Sequence, residues 1–248
     1  MRQVFAIAGR ELGSMFRLPA GWIVIALYLL LAGYVFAQAI LIPGQPASLR
    51  EFFAVSGWLL LPVVPAIAMR LISEELRSGT IEPLMTAPVG DWTLIIAKYL
   101  GACVFLLAML APTLLYPLTL FLIADPRPDL GPVISGYLSL ILQGTFYLAI
   151  GLFASSLTAN QTLAFLLTLF SIFGILLLSA LGPQIARSMP GGWIGDVIRE
   201  VLSSFSITTR VEDFSRGIVD TSHIVFFASL SSFFLVLAVV TIQSRRWR

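Results

Sequence analysis

Residues 130–186 read LGPVISGYLSLILQGTFYLAIGLFASSLTANQTLAFLLTLFSIFGILLLSALGPQIA, 57 consecutive positions without an acidic or basic side chain. A helix crossing ~30 Å of hydrocarbon needs ~20 apolar residues at ~1.5 Å rise per residue. The run is therefore too long for one crossing and the right length for two joined by a turn. Its only polar cluster is Ser155-Ser156-Leu157-Thr158-Ala159-Asn160-Gln161. Small hydroxyls and Asn favour turns and helix caps, so the hairpin is placed there.

The same measurement works outward along the chain. Charged residues leave uncharged runs of 32 residues at Leu18–Leu49, 18 at Phe52–Met69, 26 at Tyr99–Ala124 and 21 at Ile224–Ser244. Each holds one crossing, which with the hairpin makes six. The spans are expected at about 21–42, 52–72, 92–123, 132–155, 161–182 and 223–244, in an all-α integral membrane protein with a single transmembrane domain over 1–248. Composition agrees: 58% of residues are hydrophobic, 11% are charged, and mean hydropathy is +0.95. Soluble domains carry roughly 25% charged residues, and less than half of that cannot cover a water-facing surface. A formal net charge of +2 gives no basic surface for nucleic acid. The single Cys103 excludes an internal disulfide and a cysteine metal cluster. His223, also alone, has no set of carboxylates around it in sequence to make a zinc site.

Lys and Arg set the orientation. With six spans, both termini, the loop near residue 80 and the turn near 158 share one side. That side carries nine cations: Arg2, Arg10, Arg17, Arg70, Arg77, Lys98, Arg245, Arg246 and Arg248. The other carries six: Arg50, Arg127, Arg187, Arg199, Arg210 and Arg216. Both termini are expected in the cytoplasm. Ala37-Gln38-Ala39 resembles a signal cleavage site, but the leader to Arg17 is long and the apolar core exceeds a signal-peptide core, so the first span is expected to stay. Arg70 and Lys98 fall at span ends, from which they are expected to snorkel. Pro112 and Pro117 interrupt the third span, a matter of packing or of a hinge.

Three segments are not spans. Residues 1–18 place Val4, Ala8, Leu12, Met15 and Phe16 on one helical face and Arg10, Ser14 and Arg17 on another. This pattern predicts an amphipathic helix in the membrane interface. Residues 183–222 mix Ile194, Val197, Ile198, Val201, Leu202 and Phe205 with Asp196, Arg199 and Glu200, a re-entrant or interfacial region that gates or only seals the outer side. Between them lies the loop Arg70-Leu-Ile-Ser-Glu-Glu-Leu-Arg-Ser-Gly-Thr-Ile-Glu-Pro-Leu-Met-Thr-Ala-Pro-Val-Gly-Asp91. Gly79 can end one helix with φ > 0, Thr80 can cap a new short one over about 80–87 with Glu82 and Pro83 in its first turn, and Pro88 and Gly90 end it. Asp91 is expected to cap the third span. Ile81, Leu84 and Met85 are left to fill a socket on a soluble partner.

This loop, as Arg70…Glu74-Glu75…Ser78-Gly79-Thr80-Ile81-Glu82-x-Leu84…Ala87-Pro88…Lys98, resembles the coupling segment of type-2 ABC exporter permeases. Gly151-Leu-Phe-Ala-Ser-Ser-Leu-Thr-Ala-Asn-Gln161 resembles their fourth-to-fifth-span turn. Phe214-Ser-Arg-Gly-Ile-Val-Asp220 and Gln243-Ser-Arg-Arg-Trp-Arg248 resemble the gliding-motility-associated subfamily, a cousin of the permease for nitrous-oxide-reductase maturation. The resemblance implies a bacterial inner-membrane subunit, paired with a second copy or a paralogue as a dimer. Separate ATPase subunits would carry ATP and Mg, and a periplasmic partner is compatible with it. It also implies an ATPase-coupling set of Glu74, Glu75, Arg77, Gly79, Thr80, Ile81, Glu82, Leu84, Met85 and Pro88. No substrate residue carries over.

A nucleotide-binding loop of its own is excluded, because it needs Gly-Lys-Ser/Thr and the only lysine, Lys98, stands between Ala97 and Tyr99. No cofactor and no catalysis are expected of this chain. A gradient-driven secondary transporter would place ionisable groups at membrane depth, and the span centres carry none. A non-transporting assembly or force-transmitting membrane protein is compatible with the composition. An intramembrane protease would want a partner for His223, and the sequence offers none beside it.

Overall fold

The computed structural model describes residues 2–41, 48–80, 90–125, 127–188 and 206–246. Among these, all regular structure is helical. The helices are α1 (Arg2–Arg17), α2 (Pro19–Val35), α3 (Arg50–Ala68), α4 (Ser73–Ser78), α5 (Asp91–Leu110), α6 (Leu115–Ile123), α7 (Leu130–Leu157), α8 (Gln161–Ser188), α9 (Ile207–Ser215) and α10 (Thr221–Arg246). Among the described residues, six stretches are long and apolar enough to cross a membrane: Pro19–Ile40, Arg50–Ser78, Asp91–Ile123, Leu130–Leu157, Gln161–Gly182 and Thr221–Arg245.

α7 is the axis of the bundle and the most buried of the six, packing against α3, α5, α8, α9 and α10. Small residues let its neighbours close in, as membrane helices require in the absence of a hydrophobic drive between them. A Cβ at Gly136 would stand 2.3 Å from the Phe53 ring of α3, one at Gly144 2.5 Å from Leu106 of α5, and one at Gly151 2.3 Å from Ala68. Aromatic rings fill the space around the α2–α3–α6–α7 contact, where Phe36 stacks on Tyr116 at 4.6 Å and Phe53 meets Tyr137 edge-on at 5.2 Å.

The prolines bend without breaking. Pro112 sits in a 3₁₀ turn, Ala111–Leu114, that separates α5 from α6. The Thr113 carbonyl there is recovered by the Tyr137 hydroxyl, which donates to it at 2.7 Å, as a proline-interrupted membrane helix needs. Five residues of π-helical spacing, Phe36–Ile40, close the first span.

The hairpin turn lies slightly later than the polar cluster suggests. Ser155 and Ser156 remain inside α7 and are buried, and the chain turns over Thr158–Asn160. Asn160 caps α8, its Oδ1 accepting the N–H of Thr162 at 2.9 Å and of Leu163 at 3.3 Å. Asp91 does not cap the third span: Gly90 holds the cap position, with its carbonyl accepting the Leu94 N–H, and Asp91 is the first helical residue, where its charge favours the helix dipole.

α1 folds back on the bundle through one extended residue, Leu18, ahead of Pro19. Gly21 makes the bend possible, since a Cβ there would lie 2.2 Å from the Met15 carbonyl oxygen. Ala8 is buried and Leu12, Met15 and Phe16 pack on the core, while Arg10 and Arg17 are exposed. Phe16 wedges against Trp22 at 5.6 Å and Phe105 at 5.1 Å.

Candidate functional site

The loop singled out in the sequence leaves the bundle as a tight elbow. α3 ends at Ala68, the chain turns through Met69–Ile72, and α4 runs Ser73–Ser78. A six-residue helix cannot stand alone in water, because nucleation outweighs so few bonds. Here its first turn is satisfied from outside. The Ser155 hydroxyl of α7 accepts the N–H groups of Ile72 at 2.8 Å and Ser73 at 3.1 Å, two donors that any helix start leaves unpaired. Ser73 Oγ donates in turn to the Met69 carbonyl. At the other end Gly79 adopts φ 70°, ψ 4° and stops the helix, the left-handed conformation expected of it. The Ser78 hydroxyl lies 2.8 Å from that of Thr80 and donates to the Glu74 carbonyl at 2.8 Å.

The two glutamates of α4 point in different directions. Glu74 is exposed and forms a forked pair with Arg70, at 3.0–3.2 Å. Glu75 turns inward to Lys98 at 2.8 Å. The lysine does not snorkel. Its side chain is only 1% exposed, and its Nζ also donates to Glu11 of α1 at 3.0 Å. Burial of an ammonium is tolerated only with paired and hydrogen-bonded partners, and two carboxylates supply them. Gly101, three residues on, lets α1 lie close enough, since a Cβ there would stand 2.9 Å from the Ala8 carbonyl oxygen and 3.1 Å from Glu11 Cβ. One cation thus ties α1, α4 and α5 together, with one carboxylate oxygen, Glu75 Oε2, buried and without a hydrogen bond.

The same end of the bundle gathers the chain's last helix. Arg245 donates to the carbonyls of Ser156 at 3.1 Å and Leu157 at 2.9 Å, satisfying the end of α7 and placing a cation at its negative pole. Glu11 of α1, the elbow, the α7–α8 turn and the end of α10 therefore lie toward one end of the bundle.

Of the ten residues read as a coupling set, the structure brings Glu75 into a buried junction, pairs Glu74 with Arg70, leaves Arg77, Gly79 and Thr80 exposed, and describes no others. Ile81, Glu82, Leu84, Met85 and Pro88 lie outside the described residues, as does the predicted helix over 80–87 from 81 onward. Sequence reasoning missed Lys98, Glu11, Ser155 and Arg245. Two signals were available: Lys98 is the only lysine, and Glu11 is the only acid in Arg2–Arg17.

At the opposite end, α9 occupies part of the amphipathic segment, whose residues 189–205 lie outside the described set. It is anchored as α4 is. Ser179 of α8 accepts the N–H of Ile207 at 2.7 Å and Thr208 at 3.2 Å, and Ser135 of α7 donates to the Phe214 carbonyl at 2.6 Å. His223 has a carboxylate neighbour after all: Asp213 Oδ2 lies 3.7 Å from its Nε2, brought there by the turn through Gly217 at φ 89°. Desolvation lowers the Arg210 pKa, against the charges of Asp220 and Asp213, and its guanidinium lies 4.2 Å from the Phe226 ring centre. The Ser222 N–H, at 2.8 Å, holds the Asp220 carboxyl below the usual carboxylate range, helped by the Ser222 side chain and the charges of His223 and Arg210. Among the described residues no group of three His, Cys, Asp or Glu side chains could hold a metal.

Compared with known families, residues 5–244 match the model for the ABC-2 family transporter protein. No curated protein matches the chain.

Proposed function

The chain belongs to the ABC-2 transporter family, and we propose that it is the membrane-spanning permease subunit of an exporter driven by a separate ATPase, with the elbow after Arg70 as the point where force enters. The observation that carries this reading is the Lys98 junction. A segment that transmits force must be stiff where it meets the bundle, and Lys98 binds α4 to α5 and to α1 at once. Ser155 adds a link from α4 to the central helix. A push on α4 is thereby delivered to three membrane elements rather than lost in a loop.

Beyond Gly79, the sequence offers Ile81, Leu84 and Met85 as the apolar side chains for a cleft on the ATPase, with Thr80 and Glu82 starting a short helix. ATP and Mg belong to that partner. The elbow end is the cytoplasmic one on the count of cations, in the inner membrane of a bacterium, and a second permease copy or paralogue completes the pathway. The terminal motifs favour the gliding-motility-associated branch.

The test is co-purification with, and stimulation of, a P-loop ATPase encoded beside this chain. Glu82→Arg and Thr80→Pro are expected to remove the permease-dependent ATPase activity while leaving the permease folded and inserted. Unchanged association and stimulation in both variants would overturn the docking site.

A further inference from the structure

The charges of α1 are sorted between its two sides. Its one acid, Glu11, turns inward to Lys98, and its three cations, Arg2, Arg10 and Arg17, are all exposed. The arginines stand eight and seven residues apart. At about 100° per residue this places them within a sector of roughly 80°, on the side away from Glu11, Ala8 and Met15. Among the described residues none of the three has a hydrogen bond or an ion pair.

The level of this face is set by the chain that follows it. Leu18 alone separates α1 from Pro19, where the first span begins, so α1 lies where hydrocarbon gives way to headgroups. Trp22 marks the same level: it is exposed, and its indole N–H donates to the Phe16 carbonyl at 2.8 Å. Tryptophan is enriched at that boundary. A free amphipathic helix holds a bilayer by burying its apolar face and by attracting anionic lipid. In α1 the apolar face is already taken up by the protein, since Ala8 is buried and Leu12, Met15 and Phe16 pack on the bundle. Of its large apolar side chains, Phe5 alone stays largely outside, at 70% exposed. What α1 still presents to the bilayer is charge.

We propose that the arginine face of α1 is a docking surface for the headgroups of anionic phospholipids. A guanidinium donates in a fork that matches phosphate oxygens. A zwitterionic headgroup also carries a phosphate, but its own cation cancels the charge, so the surface selects net negative lipid. An acidic face on a soluble protein would match the same arginines, but the membrane adjoins α1 whether or not a protein partner is bound. Glu11 ties α1 to Lys98 and through it to α4, so a lipid held on this face bears on the elbow. Only that last consequence rests on the permease reading.

The experiment uses the full chain in phosphatidylcholine nanodiscs without any ATPase, so a negative result removes the lipid surface and leaves the coupling proposal standing. The probes are phosphatidylglycerol and phosphatidylcholine carrying the same photoactivatable diazirine near the headgroup, each added at the same low mole fraction. At low salt phosphatidylglycerol is expected to label residues 2–17 about fivefold more than phosphatidylcholine, the preference of one arginine at an anionic surface. At about 1 M salt, where the Debye length shrinks to ~3 Å, the two are expected to label alike. The combined variant Arg2→Gln, Arg10→Gln, Arg17→Gln is expected to show no preference at either salt. The salt comparison needs no substitution and keeps the proposal testable should that variant insert wrongly. Equal labelling by the two lipids at low salt in the unaltered protein, or a preference that survives high salt or the glutamine variant, overturns the proposal.

Discussion

Lys98 concentrates more of the elbow end into one atom than any other residue. Its Nζ meets Glu75 at 2.8 Å and Glu11 at 3.0 Å with 1% exposure. Removing one member of such a buried group leaves charges without partners, which costs about 3–5 kcal/mol. Lys98→Met is therefore expected to lower the thermal midpoint of the purified protein markedly, because Glu11 and Glu75 would face each other without a cation. The triple variant Lys98→Met, Glu11→Gln, Glu75→Gln is expected to recover most of the loss. A single variant as stable as the unaltered protein would show that the junction holds little. Gly101→Val tests the same junction from the backbone side. A Cβ 2.9 Å from the Ala8 carbonyl oxygen must lift α1, so the Glu11 contact is expected to go while Glu75 keeps its own.

α4 and α9 are too short to hold their own shape, and each borrows a serine hydroxyl from a long helix to satisfy its first N–H groups, Ser155 for one and Ser179 for the other. The elements were legible in different degrees. Long apolar runs and the Asn160 cap are local features, so the spans and the hairpin could be read from composition and order alone. So could Gly79, because ending a helix with φ > 0 needs only the glycine itself. The serine anchors could not be read. Ser155 and Ile72 are 83 residues apart, and a serine within an apolar run looks the same whether it bonds its own helix or another. At the far end, Asp220 gives a pH test. Its folded pKa is lowered, chiefly by the Ser222 N–H, so its stabilising contribution is complete above the ordinary carboxylate value of 3.8 and disappears as pH falls through the lowered value. Thermal midpoints followed from about pH 5 down to about pH 2 are expected to fall less steeply for Asp220→Asn, which keeps an acceptor for Ser222 but has no proton to gain. Identical profiles would remove Asp220 from the account of acid sensitivity.

Across the whole molecule, the six apolar helices among the described residues agree with what hydropathy and charge spacing imply, and the family agrees with the resemblance of the loop and turn motifs. What hydropathy cannot convey is which charges meet, since Lys98 and Glu11 are 87 residues apart and only the folding back of α1 joins them. Their positions have a consequence for how the protein is made. Everything in the Glu11–Lys98–Glu75 cluster precedes residue 99, so this knot can tie while the ribosome is still translating the central helix, whereas the Ser155 and Arg245 links must wait for later crossings. A nascent chain arrested just after Leu157 is accordingly expected to form a Glu11→Cys to Lys98→Cys disulfide on mild oxidation in the membrane. Failure to cross-link until the full chain is released would place the knot late in biogenesis.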